Sequence, residues 1–448
     1  VINSQNYSTG RNIFTLNPSA FPKGVPFRWT SLSATQQAYL NKDPDNANVA
    51  EVAPYQYGAK RVDYLRGDGS NEGNGSTTAN KQFRLRQVSK LGDIINSSPY
   101  YLGAPDSGYS ENDYASFKNA NSTRSPMIYV GANDGMMHGF DAATGQEKVA
   151  YIPNKILPNL NKLTSRVYNA VGNHRYFLDG SPSVGDAYIN GRWKSVLVSG
   201  LGHGGRGIFA LDVTNPTNFA ESATNAGNLA LWEFTDADDS DLGFTYGQVT
   251  IGKVCTARSN GSCTTSKWAA IFGNGYNNTD STAGVASTSG KAALYILLIE
   301  DAGSGWTLGT NFFKITTTGS VATPNGLAAV APVDLDDDGH VDFVYAGDLL
   351  GNLERFDLTG SAGNWTYNTL FSAKDSNAVA QPITSRPEVG RHSTGVGVMI
   401  YVGTGRYLAT GDNATSGQQT QTFYGVWDKT VKNGLTWTLG ATVQRSGF

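Results

Sequence analysis

Short apolar runs alternate with Gly-rich turns from Leu91 onward, in a phrase that recurs along the chain. Met127-Ile128-Tyr129-Val130-Gly131 passes through Asn133-Asp134-Gly135 to His138-Gly139-Phe140-Asp141, and Val149-Ala150-Tyr151-Ile152 follows. Ser195-Val196-Leu197-Val198-Ser199-Gly200 leads to Ile208-Phe209-Ala210-Leu211-Asp212 and then Leu231-Trp232-Glu233-Phe234. Further units run from Ala269-Ala270-Ile271-Phe272-Gly273, Phe343-Val344-Tyr345-Ala346-Gly347 and Met399-Ile400-Tyr401-Val402-Gly403. Each run has strand length, and each turn carries the residues that reverse a chain tightly. Shorter strands precede several units, opening on Ser98-Pro99, Ser181-Pro182 and Arg386-Pro387, where proline is tolerated at a strand start.

A repeated strand-turn-strand unit at roughly 50 to 80 residue intervals spells the blade of a β-propeller. A β-sandwich rarely repeats one phrase five times, and solenoid coils are shorter. The expected fold is therefore all-β, a propeller over residues 91–448 whose tail from Gly434 onward looks incomplete. Residues 1–90 read as an N-terminal extension. Within it, Ser33-Ala34-Thr35-Gln36 has the form of a capping box opening a short helix through Leu40. The stretch from Asp68 to Asn80 has the composition of a flexible loop. Ile13-Phe14-Thr15-Leu16 and Phe27-Arg28-Trp29 could add strands to a late blade and help close the ring.

Composition supports short strands and tight turns: 53 of 448 residues are Gly and only 16% are charged. The net charge is −3 with no basic stripe, which excludes the electrostatic footprint of a nucleic-acid binder. No run of 18 or more apolar residues exists, so no transmembrane segment is expected. Val1-Ile2-Asn3 lacks a signal-peptide pattern and reads as the start of a fragment or processed form. The two cysteines, Cys255 and Cys263, flank Asn260-Gly261, a strong hairpin signal. They are expected to face each other across a ladder as a disulfide, which favours an oxidising compartment. Two free thiols are the alternative.

The sharpest chemical motif is Asp334-Leu335-Asp336-Asp337-Asp338-Gly339-His340-Val341-Asp342. Carboxylates stand at positions 1, 3, 5 and 9, with Gly at 6. This is the spacing of a calcium loop, in which alternate side chains turn toward an oxygen-seeking ion and position 7 offers its carbonyl. Asp334, Asp336, Asp338 and Asp342 are the side-chain candidates, and His340 contributes its carbonyl rather than its ring. Asp337 faces solvent. Strand residues follow where a helical loop would carry Glu, so the loop closes a β-hairpin. Four carboxylates this close repel without a cation. A solvated acidic turn is the bland alternative, and magnesium seldom uses such an all-protein cage.

Other signals are weaker. Arg66-Gly67-Asp68 is an integrin-type tripeptide on an expected exposed loop, although Tyr64-Leu65 before it could end a buried strand. Asp43, Asp45 and Glu51 look like a degraded second calcium loop. Asp236, Asp238, Asp239 and Asp241 read as a solvated turn. Trp306 and Trp365 look exposed and suggest a carbohydrate-binding propeller as one reading. The five histidines are scattered, and no nucleophile elbow, zinc motif or phosphate loop appears, so no enzyme activity is expected.

Several phrases together resemble one family. They are Tyr129 to Asp141, Tyr151-Ile152-Pro153 through Leu157-Pro158-Asn159-Leu160, Leu91-Gly92-Asp93-Ile94-Ile95-Asn96-Ser97-Ser98-Pro99, and Tyr64-Leu65-Arg66-Gly67-Asp68. In this order they are similar to the C-terminal domain of the PilY/PilC type IV pilus tip-associated adhesins. The resemblance implies a modified, quinoprotein-like propeller, seven-bladed in the family. It implies calcium at Asp334, Asp336, Asp338, His340 and Asp342. It also implies secretion to the pilus tip or outer cell surface, with pilin and minor pilins as partners. Implied roles are support of pilus extension against retraction, twitching motility, virulence and attachment to surfaces or to a host receptor such as an integrin. A quinoprotein dehydrogenase propeller is the alternative, but it lacks support from adjacent cysteines here.

Overall fold

The computed structural model describes residues 2–45, 57–73, 83–414 and 416–445. The chain divides into two compact units, Val1–Thr235 and Asp236–Phe448.

In the first unit, β1 (Ile13–Leu16) and β2 (Gly24–Pro26) precede helix α1 (Ala34–Leu40) and helix α2 (Gly58–Arg66). A short parallel pair, β3 (Glu72–Gly73) and β4 (Phe83–Arg84), follows. Then come β5 (Tyr100–Leu102), β6 (Met127–Ala132), β7 (Met136–Asp141) and β8 (Glu147–Ile152). The order β2-β1-β8-β7-β6-β5 makes a six-stranded sheet. The next four, β9 (Ser183–Ile189), β10 (Arg192–Gly200), β11 (Gly207–Asp212) and β12 (Ala230–Thr235), form a meander. The Gly-rich turn at Gly200 joins β10 to another strand, as read from the sequence.

The N-terminal strand does join a sheet, but an early one. β1 runs parallel to β8, with Ile13 opposite Ala150 and Thr15 opposite Ile152, not beside a late strand. Ile13 and Phe14 are fully buried there, which gives this short strand its reason to pair. Phe27-Arg28-Trp29, expected as strand, instead leads into a single 3₁₀ turn at Trp29–Ser31. The capping box is present: the Gln36 N–H donates to Ser33 Oγ at 3.3 Å, and the Ser33 N–H donates to Gln36 Oε1 at 3.0 Å.

In the second unit β13 (Thr250–Ser259), β14 (Ser262–Gly273), β15 (Lys291–Leu298) and β16 (Phe312–Gly319) form one meander. Strands β17 (Leu327–Val333), β18 (Phe343–Asp348), β19 (Asn352–Asp357) and β20 (Thr366–Ser372) form another. A three-stranded sheet, β21 (Glu388–Arg391), β22 (Val398–Gly403) and β23 (Phe423–Asp428), and a hairpin, β24 (Val431–Asn433) with β25 (Thr436–Thr438), complete it. The inner strand β18 is buried at every position, whereas the outer strand β12 alternates buried and half-buried. Strands covered on both faces read as unbroken apolar runs, and outer strands show the two-residue period. The tail turns back on the domain: Trp437 meets Phe343 edge-on at 5.1 Å, and the Val443 N–H donates to the Leu370 carbonyl at 2.7 Å.

Cys255 and Cys263 are bonded, with Cα atoms 5.7 Å apart. They are not ladder partners. Cys255 lies opposite Ser266 and Cys263 opposite Arg258, and register shifts between Cys255 and Arg258 bring the two together. The turn is the two-residue one that Asn260-Gly261 predicts, both residues having positive φ.

Candidate metal centre

The hairpin from β17 to β18 closes at the pair Val333–Phe343, and residues 334–342 form its loop. Gly339 has φ +86°, a left-handed conformation natural to glycine, and Asp337 takes the same region at +61°. Backbone donors shape the acidic side chains. Gly339 N–H donates to Asp334 Oδ2 at 2.7 Å, Asp338 N–H to Asp334 Oδ1 at 3.1 Å, and His340 N–H to Asp338 Oδ1 at 2.9 Å.

Asp334, Asp336 and Asp338 each bring an oxygen within 4.8 Å of the others, close enough for one ion to touch all three. Asp342 is not one of the three but adjoins them, its Oδ2 accepting from the Asp336 N–H at 3.4 Å. Oδ2 also accepts from the Leu335 N–H at 2.9 Å, while its buried Oδ1 has no hydrogen-bond partner. Burial pushes the Asp342 carboxyl up to about 7, and Asp336, Asp338 and Asp334 add to the push. Asp334 is raised for the same reasons, burial first. Asp338 goes the other way: burial opposes ionisation, but hydrogen bonds from the His340 backbone and ring outweigh it. An orphaned buried carboxylate oxygen beside three gathered carboxylates is a donor set suited to a hard cation.

The His340 ring is already engaged. Nδ1 lies 2.9 Å from Asp338 Oδ1, and Nε2 lies 2.6 Å from Ser266 Oγ on the disulfide-bonded hairpin. That hairpin also accepts the Val341 N–H at the Lys253 carbonyl, 2.8 Å away. Asp337 points outward, as expected, with its side chain 79% exposed and 2.6 Å from Arg391. Sequence reasoning missed Lys432, whose Nζ contacts Asp336 Oδ2 from β24. No local signal could have shown it, since the two residues stand 96 apart in the chain.

The other sequence candidates fare differently. Arg66 is not on an exposed loop. It closes α2, in which Gly58, Arg61, Val62, Tyr64, Leu65 and Arg66 are buried, and Gly67 caps the end at φ +118°. The Arg66 guanidinium is fully buried, paired with Glu221 at 2.8 Å and donating to the carbonyls of Arg11 and Phe27. Such an arginine is not displayed to a receptor, and Asp68 alone remains on the surface. Glu51 of the degraded loop lies outside the described residues, as do residues 74–80 of the Gly-rich stretch. The run from Asp236 to Asp241 is not a solvated turn. Asp236 and Asp241 are buried, and Asp241 accepts from Ser287 at 2.5 Å, Ser289 at 2.7 Å and Lys314 at 2.8 Å. Trp365 is buried too, edge-on to Phe313 at 5.1 Å, which removes it from any sugar platform. Among the described residues, no helix is long and apolar enough to cross a membrane.

Comparison with known proteins agrees with this architecture. The family model described as the PilY1 beta-propeller domain matches residues 91–446. The type IV pilus biogenesis factor PilY1 of Pseudomonas aeruginosa (strain PAK) is 39% identical over 438 residues, covering 91% of this chain and 33% of that protein. A PilY1 homolog of Xylella fastidiosa is 40% identical over 398 residues, covering 82% of this chain and 24% of that protein. The chain thus spans about a third or less of these relatives. The crystal structure of the P. aeruginosa PilY1 C-terminal domain matches at a TM-score of 0.59 and 33% identity, over 77% of this chain and 67% of that one. The meanders described above are therefore blades, and the chain belongs to the PilY1 β-propeller family.

Proposed function

We propose that this chain is the calcium-binding propeller of a type IV pilus biogenesis factor, a binding module and not an enzyme. The observation that carries the reading is the loop itself: three gathered carboxylates with a buried Asp342 oxygen that lacks a partner in the same loop. Side-chain oxygens of Asp334, Asp336, Asp338 and Asp342 would hold the ion, with the His340 carbonyl as a further ligand. A bound calcium neutralises the mutual repulsion of the four acids and holds the β17–β18 turn in one conformation. The ring of His340, held between Asp338 and Ser266, carries that rigidity to the disulfide-bonded hairpin.

The relatives are named as pilus biogenesis factors, which supports pilin and minor pilins as partners and the pilus tip or outer cell surface as location. Calcium would favour the conformation that supports extension over retraction, and it can do so only by binding the two states with different affinity. Twitching motility and surface attachment follow from that balance. Host-receptor binding through Arg66-Gly67-Asp68 finds no support in the buried guanidinium. The quinoprotein alternative has no relative in its favour among those named above.

The test joins binding to biology. Calorimetry on the wild-type chain should show one calcium site, absent in Asp342→Ala. The same substitution in the full-length protein should reduce surface pili and twitching. Loss of calcium binding with pili and motility unchanged would remove the regulatory role.

A further inference from the structure

We propose that Lys432 is a built-in competitor of the metal ion: its ammonium and the cation contend for Asp336, so ion binding and the seating of the β24–β25 hairpin oppose each other. This rests on the reading of residues 334–342 as a metal site.

Lys432 lies on β24, and its Nζ contacts Asp336 Oδ2 with both side chains largely covered, 24% and 12% exposed. Asp336 is one of the three acids whose oxygens gather within 4.8 Å. An ion held by that triad would therefore sit a few ångströms from the ammonium. Two cations on one carboxylate repel, and partial burial weakens the screening that would hide the effect.

The hairpin is built to register this conflict. Its base is fixed: Arg355 Nη1 donates to Asp428 Oδ1 and to Thr430 Oγ1, each at 2.7 Å. Beyond that anchor Lys432 also lies 5.5 Å from the centroid of the Trp437 ring, which itself meets Phe343, the first residue after the loop. The lysine, the tryptophan and the acidic loop thus share one small contact. Moving the ammonium off Asp336 disturbs the hairpin's hold on the domain, while its base stays anchored at Asp428.

The experiment titrates calcium chloride into the whole chain by calorimetry, as wild type, Lys432→Gln, Lys432→Arg and Asp334→Asn. Lys432→Gln should bind calcium roughly 5- to 10-fold more tightly than wild type, the scale of one relieved charge contact in partly screened surroundings. Lys432→Arg, which keeps the charge, should bind no more tightly than wild type. Hydrogen exchange over residues 429–440 should quicken when calcium is added to wild type and should not respond in Lys432→Gln. Equal or weaker binding by Lys432→Gln, or exchange in the hairpin that ignores calcium, overturns the competition. If the wild type gives no calcium heat and Asp334→Asn is indistinguishable from it, the metal-site reading itself has failed.

Discussion

Arg66 Nη1 donates to Glu221 Oε1 at 2.8 Å, and the arginine side chain is completely enclosed while the glutamate is 12% exposed. The pair links the end of α2 to a segment 155 residues later. Arg28 reaches the same carboxylate, so Glu221 collects two guanidinium groups.

Removing one partner of such a pair leaves a buried charge uncompensated. Arg66→Ala is expected to destabilise the first unit by about 3–5 kcal/mol. Thermal or denaturant unfolding measures it. A loss below about 1 kcal/mol would show that the arginine is surface-like after all, and would revive a recognition role for the tripeptide.

The Cys255–Cys263 bond closes a short loop, the cysteines being separated by 8 positions. Chain-entropy arguments for a loop of this size give about 2–3 kcal/mol. The double variant Cys255→Ser, Cys263→Ser should unfold earlier by that amount. It should also weaken calcium binding, because Ser266 on the same hairpin holds the His340 ring. Unchanged calorimetry in the double variant would separate the hairpin from the loop.

Glu354 is fully buried on β19, across the ladder from Thr369. Burial pushes its carboxyl up to about 7, and Asp348 adds to the push. The folded chain therefore holds this proton more tightly than the unfolded one. Its contribution to stability is intact below the ordinary value of 4.5 and is lost as pH rises through about 7. Glu354→Gln should be more stable than wild type at pH 8, by on the order of 2 kcal/mol. The advantage should vanish toward pH 4.5. Parallel pH-stability curves for the two proteins would contradict this.

Asp342 must be ionised to bind a cation, and its carboxyl without one titrates at about 7. Calcium affinity should consequently fall as pH drops below 7, approaching roughly tenfold per unit. Calorimetry at pH 7.5 and pH 6 reads the change. In Asp342→Asn the residual affinity should be weak and nearly flat across that range.

Much of the fold is legible because its signals are local. The run Met127-Ile128-Tyr129-Val130-Gly131 and its Asn133-Asp134-Gly135 turn name a hairpin without outside help, and β6 and β7 pair as written. The acidic loop is legible for the same reason, since its acids lie within nine consecutive residues. Illegible features depend on distant partners. Helix α2 hides behind two arginines that look solvent-seeking until Glu221 and the carbonyl of Leu40 are in place. His138 gives no sequence signal, yet it is buried between Asp134 and Glu147. Burial alone would lower its pKa, but these two carboxylates carry it up to about 9. Asp239 and Asp241 read as a wet turn because Lys314, their cation, lies more than 70 residues away.

The parallel pairing of β1 with β8 has a consequence for how the polypeptide is made. Synthesis proceeds from the N-terminus, so residue 13 emerges long before its neighbour at residue 150 exists. Its nearby partner β2 can cover one edge of β1, but the other edge waits through the production of more than a hundred further residues. Long-range closures of this kind are slow, and a waiting strand with one open edge is prone to pair wrongly. Holding that segment apart until residue 150 arrives is thus a task set by the topology itself, and one that a chaperone acting on nascent or exported chains is suited to perform.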